Sequence, residues 1–191
     1  MNQLLFASNN LNKLQEVNDI LEDQYEIIGL NDIGHFEDLA EDGNTLEENA
    51  LQKARFIYEA YGVSCFSEDT GLEVQSLNNE PGVYSARYAG PQRSSLDNIN
   101  FLLKNLEDKT NRTARFRTVI ALIIDDNEYL FEGIVNGKIG TSIQGSGGFG
   151  YDAVFIPDGY TQSFGELSKE IKKTISHRSN AIAKLINFLN S

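Results

Sequence analysis

Four short segments hold the residues best suited to chemistry. In Ser67-Glu68-Asp69-Thr70-Gly71 two acidic side chains follow a short apolar run, Val63 to Phe66. Ligand clefts form where strands of α/β sheets end. A carboxylate there can hold magnesium beside substrate phosphates, or take a proton from an attacking water. An acidic turn in solvent would read the same way. In Ser8-Asn9-Asn10-Leu11-Asn12-Lys13 a polar turn runs into a helix start. Free N–H groups and the positive end of the helix dipole favour phosphate there, and Lys13 adds a point charge. Ser and Asn before a helix are also ordinary caps. In Gly145-Ser146-Gly147-Gly148-Phe149-Gly150-Tyr151-Asp152 the glycines permit close approach to a ligand. Phe149 and Tyr151 offer flat faces for a base, and Asp152 either accepts from base N–H groups or orders the loop. A glycine turn with aromatic rings packed behind it is the plainer account. Lastly, Lys172 precedes Ser176-His177-Arg178 at a second helix start. His177 and Arg178 can donate to a carbonyl oxygen such as that at position 6 of a purine, or serve as a cap with a solvated pair.

The elements that must position these residues follow from periodicity. Leu4 to Ala7 is a buried strand, and Leu14, Val17, Ile20 and Leu21 recur at helical spacing after the Ser8–Lys13 turn. Tyr25 to Leu30 is a strand, and residues 31–44 form an acidic loop. Thr45-Leu46-Glu47-Glu48 reads as a capping box opening a helix to about Tyr61, stopped by Gly62. Val63–Phe66 and Leu72–Val74 read as two short strands either side of the acidic pair. Leu96 to Leu106 is helical. Ala114–Ile124 and Glu128–Lys138 are strands joined by a tight Asp125-Asp126-Asn127 turn. A strand at Ala153–Ile156 and a C-terminal helix capped by Ser176 complete the chain. Strands and helices mix throughout, without repeats or linkers. This predicts an α/β fold with a mixed sheet, a single domain over residues 1–191.

The chain has 191 residues and a formal net charge of −12. So acidic a surface repels nucleic-acid polymers and anionic membranes, though a cluster of cations or a metal can still hold one nucleotide. No apolar run approaches the ~20 residues of a membrane span. The N-terminal residues lack a basic, signal-like start. The one cysteine, Cys65, has no partner for an intramolecular disulfide and reads as a small buried side chain. A cytoplasmic protein is expected.

In their order along the chain, the motifs resemble the inosine triphosphate pyrophosphatase family, the dITP/XTP pyrophosphatases of bacteria. The matching residues are Ser8-Asn9-Asn10 with Lys13, Thr45 with Glu48-Asn49-Ala50 and Lys53-Ala54, and Glu68-Asp69-Thr70-Gly71. Pro81 to Tyr88, Gly147 to Asp152 and Ser176-His177-Arg178 continue the match, which covers essentially the whole chain. The resemblance implies an elongated, curved mixed sheet flanked by helices in two lobes, with a central active-site cleft, and a homodimer. It implies that Ser8, Asn9, Asn10, Leu11, Asn12 and Lys13 grip a triphosphate and that Thr70 touches substrate. Asp69 would be the catalytic carboxylate and a ligand of Mg2+. Phe149, Gly150, Tyr151, Asp152, Lys172, His177 and Arg178 would form the base pocket. One position departs: the family often has a glutamate three residues before the glycine of the acidic loop, and Ala40 stands there. Glu41 shifting in, or Glu68 with water, would then complete the metal shell.

The implied reaction releases pyrophosphate from ITP, dITP or XTP. A 6-oxo purine offers an acceptor where adenine offers a donor, so donors such as Arg178 and His177 would select the former. Two rival readings share these residues. One is a pyrophosphatase for modified pyrimidines of the Maf type, against which the Ser-His-Arg and Phe-Gly-Tyr-Asp segments argue. The other is a nucleotide sensor without turnover, which the Ala40 departure keeps open.

Overall fold

The computed structural model describes residues 2–21 and 24–191. Its strands are β1 (Asn2–Phe6), β2 (Tyr25–Ile28), β3 (Cys65–Val74), β4 (Glu80–Gly82), β5 (Thr113–Ile124), β6 (Asn127–Ile139) and β7 (Phe155–Pro157). The helices are α1 (Leu11–Leu21), α2 (Leu46–Tyr61), α3 (Ser95–Asn105), α4 (Lys169–Ile175) and α5 (His177–Leu189), with three short 3-10 turns among the described residues. The sheet runs β2-β1-β3-β5-β6-β7, and β4 pairs with β3 off that path. β1 is parallel to β2 and β3, whereas β4 and β7 join antiparallel, so the sheet is mixed as expected.

The chain forms two compact units. Unit 1 comprises Met1–Asp69, Thr118–Gly133 and Arg178–Ser191; unit 2 comprises Thr70–Arg117 and Ile134–His177. In unit 1, Val17 and Leu21 of α1 pack with Phe6, Phe66, Ile120 and Leu122 of the strands. Ala181, Ile182, Leu185 and Ile186 of α5 close that core. In unit 2, Leu72 and Val74, Ile99, Leu102 and Leu106, and Phe116, Phe155 and Phe164 form a second core.

Local signals explain most elements. Thr45 Oγ1 accepts from Glu48 N at 3.1 Å, capping α2. The Glu48 carboxylate bonds Asn44 N rather than the cap residue's own N–H, one residue earlier than a strict capping box. Gly62 ends α2 at φ 65°, its N–H reaching Tyr58 O. Asp125 and Asp126, both at positive φ, make the tight β5–β6 turn.

Some expectations change, and one element was not anticipated. The two short strands around the acidic pair are one ten-residue strand, β3, with Glu68 and Asp69 inside it. The physical cause is burial: Ser67, Glu68 and Asp69 are all buried, so the acidic pair is no solvent turn. Gly71 lets β3 continue, because a Cβ there would come 2.6 Å from the Gly82 carbonyl of β4. Next, α4 arises from a polar stretch with little apolar periodicity, started by Ser168, whose Oγ accepts from Ile171 N. Finally, the strand expected at Ala153–Ile156 begins at Phe155, since residues 151–154 are spent in turns.

Candidate active site

β1 and β3 lie side by side in parallel, with Leu5 opposite Cys65 and Phe6 opposite Phe66. Ser8–Lys13, which follows β1, and Glu68–Asp69, the residues of β3 just beyond Phe66, therefore lie on the same side of this register. Stacked rings of Phe6 and Phe66 and the Ala7 N–H to Phe66 O bond lock this register. α2 is pinned behind β3: Ser67 Oγ donates to Ala50 O, and Cys65 Sγ to Ala54 O.

The Ser8–Lys13 turn is ordered by its own side chains. Asn10 Oδ1 accepts from Asn12 N and Lys13 N, so Asn10 caps α1. Ser8 Oγ accepts from Asn10 N, and Asn9 Nδ2 donates to Glu37 O. Asn9 Oδ1 is buried without a hydrogen-bond partner. Leu11 is exposed.

The two acidic residues have different surroundings. Glu68 is 1% exposed and held by Arg178, whose Nε and Nη2 reach it at 2.9 and 2.8 Å. Lys13 Nζ lies 3.3 Å from Glu68 Oε1, and Arg178 Nη1 also bonds Glu16. Two cations thus face two carboxylates. Burial pulls the Arg178 pKa down, but Glu68 and Glu16 outweigh it and leave the net pKa above the ordinary value. Removing one partner of such a buried cluster typically costs about 3–5 kcal/mol.

Asp69 is also buried, with an amide on one oxygen and an ammonium near the other. Asn49 Nδ2 donates to Oδ2 at 2.9 Å, and Lys53 Nζ stands 3.8 Å from Oδ1. Lys53 also bonds Glu41 Oε1 at 2.6 Å. Burial pushes the Asp69 pKa above the usual carboxylate range; Lys53 and Lys13 oppose the shift, and Glu41 adds to it.

Among the described residues no three His, Cys, Asp or Glu side chains are grouped to hold a metal. Magnesium asks for less: one or two carboxylates, with waters and substrate phosphates completing its shell. Asp69 and Glu41 fit that demand: both carboxylates lie within 4 Å of one point, Lys53 Nζ, at 3.8 and 2.6 Å, so they stand close enough to share a cation. Glu68 fits less well, its oxygens being engaged by Arg178 and Lys13.

Unit 2 carries the glycine loop. Asp152 Oδ2 accepts from Phe149 N at 2.8 Å and from Lys172 Nζ at 2.6 Å, so Asp152 orders the loop. Gly148, at φ 71°, leaves room for that carboxylate, which a Cβ would overlap. Lys172 Nζ sits over the rings of Phe149 and Phe164. Tyr151 is a core residue whose hydroxyl donates to Ser85 O, so of the two expected stacking rings Phe149 is the more accessible. Gly150 beside it and Thr70, which follows Asp69 in β3, are half-buried.

His177 and Arg178 diverge, since successive helical side chains point about 100° apart. His177 stacks on Phe116, centroids 4.7 Å apart, in unit 2. Arg178 turns to Glu68 and Glu16 in unit 1, engaging donors that the sequence reading gave to a purine oxygen.

Sequence reasoning placed Asn49 and Lys53 in the matching motif without giving them a role, and passed over Glu16. A signal existed for the first two. They fall within the buried stripe Leu46, Ala50, Ala54, Ile57 of α2, and a polar residue in such a stripe needs a buried partner. Glu16 gave no such sign.

A mixed α/β fold with a buried, cation-flanked carboxylate beside a phosphate-suited helix start defines the class: a protein built to handle phosphorylated ligands. Within that class, the chain belongs to the Ham1 family, whose model matches residues 4–188. It is similar to the dITP/XTP pyrophosphatase of Flavobacterium psychrophilum, 50% identical over 99% of this chain and 100% of that protein. The Porphyromonas gingivalis protein of the same description is 51% identical, covering 99% of this chain and 98% of its own length. Among solved structures, the Staphylococcus aureus Ham1 protein superposes with a TM-score of 0.89 at 41% identity, over 98% of both chains. A HAM1 protein from Coxiella burnetii gives 0.90 at 34% identity, over 100% of this chain and 99% of the other. The family resemblance read from the motifs is thereby borne out.

Proposed function

We propose that this chain is a dITP/XTP pyrophosphatase, a hydrolase that splits deaminated purine nucleoside triphosphates into the monophosphate and pyrophosphate. Removing such nucleotides would keep them out of DNA and RNA. The observation that carries the reading is Asp69. It is a buried carboxylate of raised pKa, fixed by Asn49 and flanked by Lys53 and Lys13, in a chain about half identical to proteins of that description along its length.

Residues 1–191 act as one catalytic domain in this proposal. Asp69 accepts the proton of a water that attacks the α-phosphorus; the bond to the bridging oxygen breaks, and pyrophosphate leaves. A raised pKa suits that role, since a base works best when its pKa nears the working pH. Lys13 and Lys53 offset the phosphate charge, and Ser8 to Asn12 orient the chain of phosphates. Mg2+, held by Asp69 and Glu41, would supply further neutralisation of the phosphate oxygens. Phe149 would stack on the base, with Gly150, Asp152, Lys172 and His177 completing the base contacts. Thr70 would touch the substrate next to Asp69. The resemblance also implies a homodimer, and the composition led to the expectation of a cytoplasmic setting; both belong to this proposal. Among the described residues no helix is long and apolar enough to cross a membrane.

The test is pyrophosphate release from ITP, XTP, dITP, ATP and GTP, with magnesium and with EDTA, for wild type and Asp69→Asn. Fast release from the first three, lost with EDTA and in the variant, is expected. Binding of ITP without release would overturn the reading in favour of a sensor, and a preference for modified pyrimidines in favour of the Maf type.

A further inference from the structure

Asn49 is 1% exposed and spends both ends of its amide. Its Oδ1 accepts from Gly43 N at 2.8 Å, and its Nδ2 donates to Asp69 Oδ2 at 2.9 Å. The orientation is forced. A backbone N–H can only donate, so the amide oxygen must face Gly43. That turns the NH2 group towards Asp69, and an NH2 group also can only donate. Asp69 Oδ2 therefore accepts, which fixes the rotation of the carboxylate and decides that Oδ1 is the oxygen turned to the other side. Oδ1 is the oxygen 3.8 Å from Lys53 Nζ, one helical turn beyond Asn49.

Gly43 permits this arrangement. A Cβ at that position would stand 2.8 Å from Asn49 Oδ1 and 2.6 Å from Glu48 Cβ, so a larger residue would push the acidic loop off α2. The same loop carries Glu41, which Lys53 holds at 2.6 Å. One side chain thus ties the loop backbone to the carboxylate that needs a fixed orientation.

We propose that Asn49 is a positioning residue that makes the two oxygens of Asp69 unequal: it holds Oδ2 and so sets the angle at which Oδ1 meets the attacking water. This rests on the reading of Asp69 as the catalytic carboxylate. Outer partners of such carboxylates typically contribute about 10–100-fold to activity.

The experiment is a double-mutant cycle on dITP hydrolysis in magnesium, with thermal melts to confirm folding. Asn49→Leu keeps the size and removes both hydrogen bonds; Asn49→Ser, smaller and able to admit water, is read if the first does not fold. Each is made alone and with Asp69→Asn. Alone, the Asn49 substitution is expected to lower kcat about 10–100-fold with KM little changed. Combined with Asp69→Asn it should add little further loss, because both act through one group. Equal losses in both backgrounds, or an unchanged kcat, would overturn the proposal and leave Asn49 a fold-holding residue. Wild-type turnover by Asp69→Asn alone would instead overturn the reading of Asp69, and this inference with it.

Discussion

Asp69 is kept in the fold at a cost, and that cost is measurable without substrate. Its folded pKa lies above the usual carboxylate value, with burial the largest cause. The folded chain therefore holds this proton more tightly than the unfolded chain does. Below the unfolded pKa the associated stability is fully present; as pH rises through the raised folded pKa it is lost. In EDTA at neutral pH, Asp69→Asn is accordingly expected to raise Tm, by about 2–4 °C per kcal/mol of relieved desolvation in a chain of this length. The gain should shrink towards pH 4. Calorimetry at the two pH values checks this, and an equal Tm for wild type and variant at neutral pH would show that Lys53 and Lys13 already offset the burial. At this scale the sequence named Asp69 and Lys13 but not which side chains pair with Asp69. Asn49 and Lys53 sit 20 and 16 positions before Asp69, and their partnership needs α2 packed behind β3. Arg178 and Glu68 are 110 positions apart, and no local pattern announces an ion pair of that span.

Elements that start or stop on local chemistry were legible: α2 from Thr45 and Gly62, the β5–β6 turn from its aspartates, α5 from its spaced apolar residues. β3 was not, because its middle, Ser67-Glu68-Asp69-Thr70-Gly71, has the composition of a turn. Pairing with β4 overrides that preference: Leu72 faces Gly82 and Glu73 faces Pro81. Gly71 is the element's weak point. An added methyl would meet the Gly82 carbonyl carbon and oxygen, backbone atoms that cannot swing aside. Gly71→Ala is expected to destabilise the protein by about 1–3 kcal/mol, the usual range for overpacking. Urea denaturation would show it as a lower midpoint at unchanged slope, and an unchanged midpoint would mean that β4 readily gives way.

Across the whole molecule the chain order and the compact units do not coincide. Unit 1 is assembled from three segments, the last beginning at Arg178. Ala181, Ile182, Leu185 and Ile186 on α5 are buried against Phe6, Phe66 and Ile120, residues from much earlier in the chain. Burying one Leu or Ile side chain is worth about 1.5–3 kcal/mol. Three such residues approach the whole margin of about 5–15 kcal/mol that keeps a domain folded. Ending the chain before His177 should therefore unfold unit 1, seen as loss of cooperative melting and rapid proteolysis of its N-terminal part. Retention of a cooperative transition with native protease resistance would show that β1, β3 and α1 suffice. The net charge of −12 belongs to this scale too, and it is offset at the candidate site by Lys13, Lys53 and Arg178.

By itself the sequence determined the α/β class, the elements with clear local caps or turns such as α2 and the β5–β6 hairpin, and the Ser8–Lys13 helix start. Those features depend on neighbours within a few positions or on the joint order of motifs. Tertiary structure decided that Glu68 and Asp69 lie inside a strand, that Arg178 neutralises Glu68, that Tyr151 belongs to the core, and that Asn49 and Lys53 face the two oxygens of Asp69. Each is a choice of partner between distant segments. Burial makes such choices, because a polar group removed from water must find its partner wherever packing brings one.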